Sequence, residues 1–170
     1  MARTKRIESY GRDMMIKIIH DVIKSDWPEE FKKHILLKEL LWKSDSPRGV
    51  KGDNSKVIFS EKAMKLWLKN EKLGLKNLKS GIIIEHAVPR LEIYTALSKI
   101  KRLTKKSISA TLDCMLVRVA VTKDEDGKLN KLGLRQRMPL GWADNDCMAR
   151  HVAAKIKHVE WRPDKYKIAQ

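Results

Sequence analysis

The stretch that decides the fold is Gly81-Ile82-Ile83-Ile84-Glu85-His86-Ala87-Val88-Pro89-Arg90. Three consecutive isoleucines favour a short buried strand, because β-branched side chains are enriched in strands. Glu85 and His86 would stand at the end of that strand, and Pro89 disfavours helix for the residue before it. Successive strand residues point to opposite faces of a sheet. The carboxyl and the imidazole can therefore share one site only if the strand ends and turns there.

Outward from this stretch, the sequence predicts one more strand and several helices. Residues 114–121 alternate, with apolar side chains on one face and Arg118 on the other. Apolar residues at helical spacing predict helices before residue 76, one of them capped by Ser60. Thr122, followed by acids, predicts another helix start, and a last helix is expected near residues 144–156. Many helices and two strands make the predicted class α+β and helix-rich.

The predicted organisation has three parts. Residues 1–76 form a helical N-terminal region, residues 77–160 form the core that carries Glu85 and His86, and residues 161–170 form a polar tail. A run rich in Ser, Asp, Pro and Gly at 44–55 predicts a loop inside the first part.

Charge is the strongest global feature of the chain. Lys and Arg number 37 against 21 Asp and Glu, which gives a net charge of +16. Such a balance favours nucleic acid as a partner, because neutralising phosphates releases counterions. The alternative is a generically basic protein whose lysines only solvate its surface. The cations expected to contact phosphate are Lys99, Lys101, Arg102, Lys105, Lys106, Arg135 and Arg137.

Composition also bears on the compartment. No run approaches the ~20 apolar residues of a membrane span, so no membrane association is predicted. The two cysteines, Cys114 and Cys147, form no Cys-x-x-Cys pair. We therefore expect a cytoplasmic protein with reduced thiols.

The pairing of Glu85 with His86 predicts chemistry on a phosphodiester. Hydrolysis needs a water, a base to deprotonate it and a cation to stabilise the developing charge. Histidine suits the base role near neutral pH, and carboxylate oxygens suit Mg²⁺ or Mn²⁺. Arg90, four residues beyond His86, is placed to bind the scissile phosphate.

The motif Ile83-Ile84-Glu85-His86-Ala87-Val88-Pro89-Arg90 resembles the first motif of the HNH, or ββα-metal, endonucleases. The resemblance implies that Glu85 binds the metal and that His86 is the general base. It further implies a small two-stranded ββα-metal-like core, with the N-terminal helices packed on it. Some thirty residues separate the two strands here, so the family hairpin would carry a helical insertion.

A further metal ligand is expected but not fixed by the motif. The helix after the second strand offers Glu125 first and Asp124 next, although acids in a first helical turn are also expected from the helix dipole alone. His151 is the alternative ligand, and is otherwise placed on the polar side of the last helix. His158 shows no partner pattern and is interpreted as structural or solvent-facing.

The function predicted from the sequence is a metal-dependent endonuclease that uses Mg²⁺ or Mn²⁺ and cuts DNA rather than RNA. The alternative is a non-catalytic basic nucleic-acid-binding protein, such as a regulator or a phage accessory factor. A third class is a protein–protein adaptor built on the N-terminal helices. These helices would also be the contact surface of a homodimer.

Overall fold

A computed structural model describes residues 12–40, 57–75, 77, 79–143 and 146–159. Helices make up about 55% of the structure and a small mixed sheet accompanies them, which confirms the helix-rich α+β class. The predicted loop at 44–55 and the tail at 161–170 lie outside the described residues. None of the described helices is both long enough and apolar enough to cross a membrane.

The helices and strands are introduced here in chain order. They are α1 (Arg12–Lys24), α2 (Glu29–His34) with a π-helical continuation (Ile35–Leu40), β1 (Val57–Ser60), α3 (Glu61–Lys72), β2 (Ile82–His86), α4 (Arg90–Ser98), α5 (Lys105–Met115), β3 (Arg118–Thr122), α6 (Lys123–Lys131), α7 (Ala149–Ala153) and β4 (His158–Val159).

Contacts divide the chain into two compact units that differ from the parts predicted from sequence. The first unit comprises Met1–Asp53 and Arg90–Asp113, and the second comprises Asn54–Pro89 and Cys114–Gln170. The division does not fall at residue 76, because β1 pairs with β3 and thereby joins the residues before 76 to the sheet.

The described elements of the first unit are all helices. α1 buries one apolar stripe, formed by Met15, Ile16, Ile19 and Val22. The Arg12 guanidinium forms an ion pair with Asp113 of α5 at 2.6 Å, and the Tyr94 hydroxyl of α4 donates a hydrogen bond to Glu29. These contacts connect α1 to α5 and α2 to α4.

The second unit is built on a four-stranded sheet in the order β2-β3-β1-β4. β1 runs parallel to β3, whereas β2 is antiparallel to β3 and β4 is antiparallel to β1. The described residues thus contain four strands, whereas the sequence predicted two. β1 has four residues and β4 has two, which is too short for an alternation pattern to stand out in the sequence.

The second strand of the prediction begins later than expected. Cys114 and Met115 complete α5, and β3 starts at Arg118. Ala120 packs in the core cluster under α3, and Val121 packs in a second cluster with residues of α6 and of the chain after α7. Because neighbouring strand residues face opposite ways, the sheet is covered on both faces.

Both parallel strands lead directly into capped helices. The Ser60 hydroxyl accepts a hydrogen bond from the Ala63 amide at 3.0 Å, which confirms the predicted cap of α3. Thr122 and Glu125 form a reciprocal capping box at the start of α6, as the acids after Thr122 indicated. Asp144, where the predicted last helix would begin, lies outside the described residues.

Candidate functional site

Glu85 and His86 are the last two residues of β2, and their side chains point in opposite directions. Regular antiparallel pairing continues through both residues, with Glu85 opposite Val119 and His86 opposite Arg118. Strand geometry therefore sends their side chains to opposite faces of the sheet. The turn that would bring them together does not occur within β2, because the strand extends through His86. His86 is buried, with 9% of its surface exposed.

The Glu85 carboxylate instead meets a buried arginine. Arg150 on α7 is 2% exposed, and its Nη2 lies 2.9 Å from Glu85 Oε2. Carboxylate–guanidinium hydrogen bonds of this length are charge-assisted and are among the stronger ones in proteins. The carboxylate is thus engaged by a cation of the chain itself.

The rest of the Arg150 guanidinium binds main-chain carbonyls. Its Nε donates to Ala87 at 2.8 Å, its Nη1 donates to Leu134 and Arg135 at 3.0 Å each, and its Nη2 also donates to His86. A guanidinium offers five N–H donors, and these contacts use them all. Arg150 therefore ties the end of β2 to the segment after α6. Sequence reasoning missed this residue, because its partners lie 15 to 65 positions away.

Two imidazoles, those of His151 and His158, lie beyond the other carboxylate oxygen of Glu85. His151 Nε2 is 3.4 Å from Glu85 Oε1, and His151 Nδ1 is 2.9 Å from Nε2 of His158 on β4. His151 is completely buried, so its predicted place on the polar side of the last helix was wrong. The helix spans only Ala149–Ala153, and it is Val152, 65% exposed, that faces solvent.

His158, interpreted from the sequence as structural or solvent-facing, is partly exposed and has His151 as its partner. It forms the last member of a chain that runs from Glu85 through His151 to the edge strand β4. We call these three residues the relay cluster. The spacing of these residues in the sequence does not predict the cluster, because they belong to three elements that come together only in the folded chain.

The charge states within the relay cluster follow from its surroundings. Burial alone would raise the pKa of Glu85, but the neighbouring His151 and the charge of Arg150 outweigh it, so the net pKa is lowered. Burial, and to a lesser extent the charge of His151, lower the pKa of His158 to about 4. At neutral pH the cluster therefore contains an ionised carboxylate and a neutral His158.

The other predicted metal ligands serve as cap and surface residues. Glu125 is 5% exposed, and its Oε2 accepts hydrogen bonds from the Ser60 hydroxyl at 2.6 Å and from the Thr122 amide at 2.9 Å. Asp124 is exposed in the first turn of α6. In the described part of the chain, no group of three or more His, Cys, Asp or Glu side chains is arranged to hold a metal ion.

The predicted phosphate-binding residues fall in both units. Arg90 starts α4 in the first unit, where its Nη1 donates to the Leu37 carbonyl at 3.1 Å. Arg135 and Arg137 are exposed in the second unit, just after α6. The remaining five cations are exposed in the first unit, between the end of α4 and the first turn of α5. We call these five the basic segment: Lys99, Lys101, Arg102, Lys105 and Lys106.

Comparison of the chain with protein-family models, with curated proteins and with solved structures finds no match. The relation to the HNH endonucleases thus stays a prediction from the motif around Glu85 and His86. The described residues offer two features for function: the exposed cations of the basic segment, and the carboxylate and two imidazoles of the relay cluster.

Proposed function

We propose that this protein binds nucleic acid, with the phosphate backbone of DNA contacting the basic segment. The observation that carries the proposal is the exposure of all five cations of the segment. None of them forms an ion pair with a carboxylate among the described residues. A cluster of exposed, unneutralised cations on a chain of net charge +16 is the electrostatic footprint of a polyanion-binding surface.

The placement of Lys105 and Lys106 supports the same proposal. Both stand in the first turn of α5, a turn that contains no acid. The N-terminal end of a helix carries partial positive charge, so lysines there reduce the stability of the free helix. A bound phosphate interacts favourably with both the lysines and the helix end. The arrangement is thus unfavourable in isolation and favourable in a complex.

A charge-matched pair of variants tests this proposal by fluorescence anisotropy with a labelled DNA duplex. In the first variant, the five residues of the basic segment are replaced by Ala. In the control variant, five exposed lysines of α3 and α6 are replaced by Ala, namely Lys65, Lys69, Lys72, Lys123 and Lys131. Both variants lose five positive charges, so they differ only in where the charge is removed.

We expect the basic-segment variant to bind DNA at least tenfold more weakly than the control variant. Equal affinity of the two variants would show that binding depends only on total charge and would contradict a localised surface. Single-stranded DNA and RNA of the same length are measured in parallel. Tighter binding of RNA than of DNA would overturn the proposed choice of ligand.

A second proposed function is hydrolysis of a phosphodiester with a divalent metal, Mg²⁺ or Mn²⁺, as the HNH resemblance implies. The observation that favours it is the relay cluster, because imidazole and carboxylate side chains that lie together are the groups that proteins use for proton transfer. Glu85 is ion-paired and Glu125 is hydrogen-bonded as a cap, so we assign neither to the metal. A ββα-metal-like core around His86 is part of the same proposal.

Incubation of the purified protein with duplex DNA, single-stranded DNA and RNA tests the second function. We expect cleavage in Mn²⁺ or Mg²⁺ and none in EDTA. Replacement of His86 by Asn tests the role that the motif gives to that residue, and DNA affinity is measured on the same sample. Substrates that remain intact under every condition would leave binding as the sole function.

A further inference from the structure

We propose that a groove on the second unit binds the phosphate groups of a nucleic-acid backbone and is a second contact surface for DNA. Four exposed lysines line this lysine groove: Lys62 of α3, Lys128 of α6, and Lys155 and Lys157 of the segment between α7 and β4. The inference rests on the proposed binding of nucleic acid. It extends that function to the second unit, whereas the basic segment belongs to the first.

The sheet brings the four lysines together. β1 and β3 are parallel neighbours, so the helices that follow them, α3 and α6, begin at the same edge of the sheet. The Glu61 amide at the start of α3 donates a hydrogen bond to the Lys157 carbonyl at 2.9 Å. Ile156 is buried in a core cluster with Leu129 of α6. The segment that carries Lys155 and Lys157 is therefore held next to both helices.

The lysine groove also contains three acids, and each of them has a role in the fold. Glu125 is buried and accepts hydrogen bonds from the Ser60 hydroxyl and the Thr122 amide. Glu61 and Asp124 stand in the first turns of α3 and α6, where negative charge interacts favourably with the helix dipole. The carboxylates are thus explained by the helix starts that they stabilise.

Two of the lysines stand where the local backbone disfavours them. Lys62 lies in the first turn of α3, where a positive charge opposes the helix dipole. Lys155 follows the end of α7 with a φ of 53°, the left-handed conformation in which glycine is the usual residue. Local structure therefore does not account for a lysine at either position, whereas a bound phosphate interacts favourably with both.

The lining of the lysine groove indicates a backbone as the ligand and not a single nucleotide. In the described part of the chain, no aromatic ring lines the groove, so a base has no ring on which to stack. Ion pairs among the described residues leave all four lysines without a carboxylate partner. Lysine binds phosphate as a point charge, and phosphate contacts carry no sequence information. We therefore expect binding that does not depend on base sequence.

Fluorescence anisotropy with a labelled DNA duplex tests the lysine groove with a charge-matched pair of variants. The groove variant replaces its four lysines by Gln, and the control variant replaces four exposed lysines of the same unit outside the groove, namely Lys65, Lys69, Lys72 and Lys131. Both variants keep the basic segment. We expect the groove variant to bind about fivefold or more weakly than the control, with a slope of log K against log salt that is shallower by about two.

The outcomes separate the lysine groove from the proposed function. Equal affinities and slopes for the two variants would overturn the inference, while a wild type that binds the duplex would keep the proposed function. A wild type that binds no duplex would overturn both.

ATP is the second source of phosphate groups in the test, and NMR follows the amide signals of Lys62 and Lys128 during each titration. We expect the duplex to shift these signals at lower concentrations than ATP does. Signals that respond to ATP at lower concentrations than to the duplex would assign the lysine groove to a free nucleotide and contradict a backbone ligand.

Lys155→Gly separates binding from stability at a single residue. Glycine removes the unfavourable left-handed lysine, so we expect the thermal midpoint to rise by about 2–4 °C. Loss of the charge should weaken DNA binding about twofold. Lys155→Gln is the control, since it loses the charge and keeps the side chain, and its affinity should fall equally without a rise in midpoint. Unchanged affinity in both variants would show that Lys155 contacts no phosphate and would contradict the inference.

Discussion

Arg150 in the second unit and the basic segment in the first unit both carry positive charge, but in opposite surroundings. Arg150 is 2% exposed, and a carboxylate and main-chain carbonyls take up its donors. The cations of the basic segment are exposed and have no carboxylate partner in the described chain. A buried, satisfied charge stabilises a fold, whereas exposed cations remain available to a ligand. Substitutions in the two regions should therefore separate stability from binding.

The largest effect is expected from Arg150→Met, which keeps much of the side-chain volume and removes the charge. It leaves the Glu85 carboxylate and several carbonyls buried without their partner, and breaking a buried ion pair in this way costs about 3–5 kcal/mol of unfolding free energy. Urea denaturation measures it. Arg102→Met, exposed in the basic segment, is the control and should change stability by less than about 0.5 kcal/mol. A loss below about 1 kcal/mol for Arg150→Met would contradict the structural role of the ion pair.

A smaller loss is expected from Glu125→Ala. The Glu125 carboxylate joins the caps of α3 and α6, and its removal leaves the Ser60 hydroxyl and the Thr122 amide without their acceptor. The loss of a cap together with a buried acceptor is worth about 2 kcal/mol. Asp124→Ala, one position earlier and exposed, should cost less than about 1 kcal/mol. Equal costs for the two substitutions would show that the buried network adds nothing beyond the helix dipole.

The relay cluster predicts a loss of stability in acid. Unfolded His158 takes up a proton near its ordinary pKa of 6.5, but folded His158 does so only near 4. The folded state is thus favoured above pH 6.5 and loses this advantage as the pH falls from about 6.5 to about 4. The lowered pKa of Glu85 adds a further loss below its ordinary value of 4.5.

Urea midpoints measured between pH 8 and pH 4 test this dependence. We expect His158→Gln to flatten the pH dependence above pH 4, with His20→Gln remaining as steep as the wild type. If the wild type were equally stable at pH 7 and pH 5, the lowered pKa of folded His158 would be refuted.

The smallest change in stability is expected from Lys105→Glu with Lys106→Glu, and it has the opposite sign. Acids in the first turn of α5 complement the helix dipole and should raise stability by about 0.3–1 kcal/mol each. The same double substitution should weaken DNA binding, because it places negative charge in the basic segment. Thermal unfolding measures the change in stability, and fluorescence anisotropy on the same preparation measures the change in DNA affinity. Loss of stability together with unchanged binding would contradict both parts of this expectation.

Features encoded by neighbouring residues could be predicted from the sequence. The strand at Ile82, the Ser60 and Thr122 caps and the exposed basic segment each depend on a few adjacent side chains, and the structure contains all of them. β1 and β4 escaped notice, because strands of four and two residues carry too little periodicity.

The candidate site was harder to predict from the sequence, because its residues come together only when the sheet forms. Arg150 lies 65 positions from Glu85, and His158 contacts His151 from another element. The motif drew attention to Glu85 and His86 as neighbours in sequence. Strand alternation then separates their side chains, since β2 continues regularly through both. The endonuclease prediction made from that motif remains a proposal.

The salt dependence of DNA binding tests the central claim most directly. Each phosphate contact released from a duplex changes the slope of log K against log salt by about 0.9. We predict that the variant lacking the five cations of the basic segment has a slope shallower than that of the control variant by about two or more, with no loss of stability. Identical slopes for the two variants would show that these cations do not contact phosphate and would contradict the proposed interface.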